Sequence, residues 1–136
     1  MPDICDVGGI KMNGAVMGTM FAVVGFAGAG MHLRNSVPVL FGGIILVVVI
    51  SLIKNGNIND IRVTSTAVSI LFSLCLAPIA GRYGIMAGLL AGALHVMVVP
   101  LALSFQGGTD LYNNGFGAGF VACIIISVIE ALMKEE

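Results

Sequence analysis

Ser36-Val37-Pro38-Val39-Leu40-Phe41-Gly42-Gly43-Ile44-Ile45-Leu46-Val47-Val48-Val49-Ile50-Ser51-Leu52-Ile53 runs without a single charged side chain. Its second half, Ile44 to Ile50, is apolar on every helical face, which suits a helix surrounded by lipid. A helix of about 20 such residues crosses the roughly 30 Å hydrocarbon core of a bilayer. Ser36 is placed to cap the helix and Pro38 to sit in its first turn, where a missing N–H costs nothing.

Working outward, the pattern repeats. The runs lie at about 12–30, 36–53, 63–80, 84–105 and 115–133. The chain of 136 residues is 58% apolar and only 10% charged, where a soluble domain carries about 25% charged residues. So few charges cannot cover a surface that faces water. The sequence predicts an all-α integral membrane protein, one transmembrane domain over 1–136 with five transmembrane helices. A net charge of −1 with no basic run speaks against nucleic acid as a partner. The start, Met1-Pro2-Asp3-Ile4-Cys5-Asp6, lacks the basic residues that open a cleavable signal peptide. Cys5, Cys75 and Cys123 lie far apart with no metal or disulfide spacing, so no cofactor or metal is expected.

The fourth and fifth runs are joined by Ser104-Phe105-Gln106-Gly107-Gly108-Thr109-Asp110-Leu111-Tyr112-Asn113-Asn114-Gly115-Phe116-Gly117-Ala118-Gly119. A plain connection needs only a few residues. This one gathers the carboxamides of Gln106, Asn113 and Asn114, the hydroxyl of Thr109, the carboxylate of Asp110 and the phenol of Tyr112. In a membrane such a segment either faces water or re-enters a cavity lined by protein. It is the expected site, a polar glycine-rich loop whose last member, Asn114, caps the fifth helix at Gly115.

His95 belongs to the same expectation. It follows Gly84, Gly88 and Gly92 along one helix face. It lies near mid-membrane, beside the Val96 carbonyl that Pro100 cannot bond. A histidine at that depth either marks function or fixes helix packing through a hydrogen bond. Thr66, Ser69 and Ser73 form a hydroxyl stripe that either bonds backbone carbonyls or walls a solute path. Glu130 and Lys134, four apart, read as an interfacial ion pair.

Asn13-Gly14-Ala15-Val16-Met17-Gly18 and Asn114-Gly115-Phe116-Gly117-Ala118-Gly119 both read N-G-x-x-x-G at a helix start. With five spans the two starts face the same side. Two helix N-termini with spare N–H groups then converge, as they do at the binding sites of many transporters. Lys11, Lys54 and Arg62 fall on one side of the membrane, and Arg34, Arg82 and Lys134 on the other. That tie gives no orientation by the positive-inside rule. It is the pattern of a chain that inserts both ways round.

Two resemblances attach to these stretches. Asn13 to Phe26, His32 to Pro38, Ala77 to Arg82, His95 and Gly107 to Phe116 resemble a family of uncharacterised polytopic prokaryotic membrane proteins. Those proteins are longer and built from two related halves. The likeness covers nearly the whole chain, which looks like the second half of such a protein. It implies a prokaryotic cell membrane and brings no function with it. Gly9-Ile10-Lys11-Met12-Asn13-Gly14-Ala15-Val16-Met17-Gly18 is similar to the glycine-rich helix start of urea transporters. Their two inverted five-span halves around a narrow pore imply one such half here. Their Leu-Pro-x-x-Thr type element is not found in this chain, so only Asn13 and Gly14 carry over.

The expected function is a pore or transporter half-unit for a small neutral or weakly anionic solute. It would act in the lipid bilayer as a homo-oligomer, two antiparallel copies supplying an inverted repeat. Asn13, Gly14, His95, Gln106, Thr109, Asp110, Tyr112, Asn113, Asn114 and Gly115 are its expected site residues. Two other classes fit. One is a cation or proton pathway through Asp110, His95 and Glu130; the other is a non-transporting assembly subunit whose small residues serve only packing. An enzyme is not expected, because no Ser/His/Asp set, His-Glu-x-x-His motif or pair of intramembrane carboxylates occurs.

Overall fold

The computed structural model describes residues 6–7, 10–55, 63–106 and 110–134. A short antiparallel pair, β1 (Asp6–Val7) with β2 (Ile10–Lys11), precedes the helices. These are α1 (Gly14–Gly28), α2 (Leu33–Asn55), α3 (Thr64–Phe72), α4 (Ala77–Tyr83), α5 (Ile85–Gln106) and α6 (Asp110–Lys134). A 3-10 turn at Ser73–Leu76 links α3 and α4 into one broken rod, so the bundle has five rods among the described residues. Four are long and apolar enough to cross a membrane: Leu33–Lys54, Thr64–Tyr83, Ile85–Ala102 and Leu111–Lys134. The chain is an all-helical integral membrane protein but for its two-residue strands.

The first rod is shorter than the expected 12–30. α1 has 15 residues, about 22 Å at 1.5 Å per residue, against roughly 30 Å of hydrocarbon. Its start is as read, since Asn13 Oδ1 accepts the Val16 N–H at 3.0 Å. Its end is set by Gly30 at φ +95°. There the Gly30 N–H reaches Ala27 O and the Met31 N–H reaches Phe26 O, a glycine-closed helix end.

α2 starts earlier than expected, at Leu33, which leaves Pro38 inside the helix instead of in its first turn. Asn35 explains the early start. Its Oδ1 accepts the His32 N–H at 2.8 Å, and its Nδ2 donates to Gly30 O at 3.0 Å. Ser36 donates back to His32 O at 2.8 Å instead of capping. The break in the third rod comes just before Pro78, which has no N–H for the Leu74 carbonyl. The Ala77 N–H takes that carbonyl instead and tightens the turn to 3-10.

The polar loop is much shorter than expected. α5 runs through Gln106 and α6 opens at Asp110, so Tyr112, Asn113 and Asn114 are helical. The buried positions of α6, at 113, 114, 117, 118, 121 and 125, recur at helical spacing. The two carboxamides are thus the first members of the stripe that continues as Ala118, Val121 and Ile125.

α5 packs most extensively against α2, with α6 on its other side. A Cβ at Gly42 of α2 would land on the Leu89 carbonyl, and one at Gly92 of α5 on the Val39 carbonyl. Gly88 abuts Ala80 of α4 and Pro38 of α2. Lipid gives apolar side chains no reason to leave it, so close backbone approach of this kind is what holds helices together. The burial pattern agrees. Phe105 is 88% exposed while His95 is 0% exposed, the reverse of a water-soluble domain.

Candidate functional site

Three elements build the site: α3, the stretch of α5 around Pro100, and the first turns of α6. His95 projects from α5 toward α6, where its Nε2 lies 3.2 Å from Asn114 Oδ1. The carboxamide oxygen accepts, so Nε2 donates and Nδ1 keeps a lone pair. Nδ1 has no partner among the described residues. Asn113, the adjacent residue, is only 1% exposed, and neither its Oδ1 nor its Nδ2 has a partner among the described residues. Leaving a buried polar group unpaired costs about 1–3 kcal/mol. Such a group calls for a specific explanation: a role, a water or a ligand.

A pocket of about 150 Å³ opens beside Asn113. Its walls are Ser65, Thr66 and Ser69 from α3, Val96, Val99 and Pro100 from α5, and Asn113 and Asn114 from α6. Pro100 lies inside α5 and offers no N–H to the carbonyl of Val96. Ser69 Oγ donates to Ser65 O at 2.9 Å, and Ser73 Oγ to Ile70 O at 2.7 Å. The Ser69 and Ser73 hydroxyls therefore bond carbonyls of their own rod, the first of the two alternatives expected of the stripe. Thr66 and Ser69 also line the pocket.

The expected site residues separate into groups. His95, Asn113 and Asn114 come together at α5 and α6. Asn13 is spent on capping α1, and nothing approaches the positions a Cβ would take at Gly14 or Gly115. Tyr112 is 64% exposed on the outer face of α6. Thr109 and the side chains of Gln106 and Asp110 lie outside the described residues. Asn114 is not a helix cap, because α6 already runs from Asp110. The two N-G-x-x-x-G motifs are therefore not equivalent: one asparagine precedes its helix and the other sits inside it. α1 meets α6 elsewhere, at Gly18, where a Cβ would lie 2.8 Å from Leu111 Cδ1.

Glu130 also differs from expectation. Its Oε1 accepts the Tyr83 hydroxyl at 3.0 Å and lies 3.7 Å from Arg82, so it ties α6 to α4. The i,i+4 reading with Lys134 overlooked partners brought by another helix. Ser65, Val96 and Val99 were not among the expected site residues. The signal for Ser65 was present in the polar run Thr64-Ser65-Thr66 that opens α3. No group of His, Cys, Asp and Glu among the described residues could hold a metal ion.

A family model matches residues 4–131, nearly the whole chain. The chain belongs to that family, described as Protein of unknown function (DUF1576). This agrees with the resemblance to an uncharacterised family. No curated protein and no solved structure matches the chain. Membership in DUF1576 thus carries no activity with it, and the functional argument rests on the pocket.

Proposed function

We propose that this chain is a pore or transporter half-unit for a small neutral or weakly anionic solute, with the pocket between α3, α5 and α6 as its narrow site. One observation carries the reading: Asn113 is fully buried, lines the pocket and has both carboxamide atoms unpartnered among the described residues. Polar side chains inside membrane spans are expensive to bury and tend to line solute paths. A solute passing through would bond Asn113 in turn. The lining residues include no ionisable side chain, which favours a neutral solute over the cation and proton pathway.

The finer architecture is part of the same proposal. α1 is the fifth crossing, its shortness met by local thinning of the bilayer or by oligomer contacts. The chain corresponds to the second half of a two-half prokaryotic plan, and two antiparallel copies complete the inverted repeat.

Ser65 allows a clean test because it is exposed at the pocket rim. Ser65→Trp should leave folding intact and plug the entrance. Swelling of liposomes containing the purified protein, under a gradient of small polar solutes, should fall at least tenfold. Tyr112→Ala, away from the pocket, should swell like the wild type. Equal rates for Ser65→Trp and wild type would remove the pocket from the path.

A further inference from the structure

A second cavity, of about 720 Å³, opens at the end of the bundle where α2 and α5 begin and α4 finishes. Its polar end is formed by His32 and Arg34, both exposed. Pro38, Phe41 and Ile45 follow Arg34 at steps of four, three and four, so one face of α2 forms a wall. Ile85 and Leu89 of α5 line it as well. Phe41, Ile45 and Ile85 are exposed on the outer surface of the bundle, which in a bilayer meets lipid. Arg34 and Ile45 are about 16 Å apart along the helix at 1.5 Å per residue. That is close to the depth of one leaflet, half of roughly 30 Å of hydrocarbon. Arg34 has no ion pair or side-chain hydrogen bond among the described residues, and the lining holds no carboxylate. α5 has no acidic residue in its first turn, so its spare N–H groups add partial positive charge at the same end.

We infer that this groove holds an anionic glycerophospholipid, with its phosphate at Arg34 and His32 and one acyl chain along Phe41 and Ile45. A guanidinium meets phosphate oxygens with paired, charge-assisted hydrogen bonds, and an imidazole supplies at least one further N–H. The apolar wall gives a soluble anion nothing, whereas a lipid uses both ends of the groove. The sign of the headgroup follows from the lining. A zwitterionic lipid brings a cationic group beside Arg34, where no carboxylate waits to receive it. An anionic one leaves the attraction to Arg34 unopposed, and a basic side chain near an anionic headgroup strengthens binding roughly fivefold. The assignment stands apart from the solute path between α3, α5 and α6, with which this groove shares no lining residue.

The experiment releases the full chain into detergent from vesicles of equal phosphatidylglycerol and phosphatidylcholine with the same acyl chains. Native mass spectrometry then counts the lipids it keeps. Phosphatidylglycerol should be retained at least tenfold over phosphatidylcholine. Arg34→Gln should cut that preference fivefold or more; Arg34 is exposed, so folding does not confound it. Lys134→Gln removes the same charge outside the groove, beside Arg82 at the same end of the bundle, and should keep the preference. Equal retention of the two lipids by the wild type, or an equal fall in both variants, would overturn the assignment. So would displacement of the lipid by millimolar inorganic phosphate at matched ionic strength, which would make the site one for a soluble anion. A dimer carrying no lipid would overturn it in favour of a second copy of the chain.

Discussion

At the scale of the residue, adjacent asparagines of α6 have opposite energetics. Asn114 is paired with His95 across 3.2 Å, whereas Asn113 is buried without a partner among the described residues. Removing the carboxamide of Asn114 leaves His95 with neither ring nitrogen bonded by a described residue. Asn114→Ala should cost about 1–3 kcal/mol of stability, the price of an unpaired buried polar group, read as a lower thermal midpoint in detergent. A midpoint equal to the wild type would mean that the 3.2 Å contact contributes nothing. The sequence marked His95 and both asparagines as site residues from their chemistry and depth. It did not distinguish which asparagine was satisfied, because that depends on which one the α5 histidine meets across the helix pair.

At the scale of the element, glycines of one sequence pattern have different roles. Gly88 and Gly92 were read from their four-residue repeat as a face where backbones approach, and they pack against α4 and α2. Gly115 and Gly119 have the same spacing, yet nothing lies within 4 Å of a Cβ built at either. Spacing says which glycines share a face, but only a neighbouring helix says whether that face is covered. Gly92→Ala would press on the Val39 carbonyl and should cost roughly 1–3 kcal/mol, as overpacking does. Gly115→Ala meets open space and should be neutral or gain up to about 1 kcal/mol from helix propensity. Thermal unfolding of the two variants side by side checks this; equal midpoints would contradict the α2–α5 seam. Helix ends were the least legible part. The α1 stop at Gly30, the early start of α2 and the extension of α6 back to Asp110 depend on local hydrogen bonds and on burial. Apolar run length does not report these.

At the scale of the whole molecule, composition alone gave the class, since a chain with 10% charged residues has only lipid to face. The five apolar runs matched the number of rods but did not show that α1, at 15 residues, is too short to match the other crossings. The proposed antiparallel assembly needs chains in both orientations. Labelling of a cysteine placed at the C-terminus of the chain with its own cysteines replaced should find it on both faces of the cell membrane. Labelling from one face only would contradict that arrangement while leaving the pocket as argued. The central claim is that Asn113 stays unpartnered in order to meet a passing solute. Solute flux and thermal stability measured together on Asn113→Ala test it most directly. Flux of small polar solutes should fall at least tenfold while the thermal midpoint stays no lower than that of the wild type. Unchanged flux, or a loss of flux that only follows a loss of stability, would contradict it.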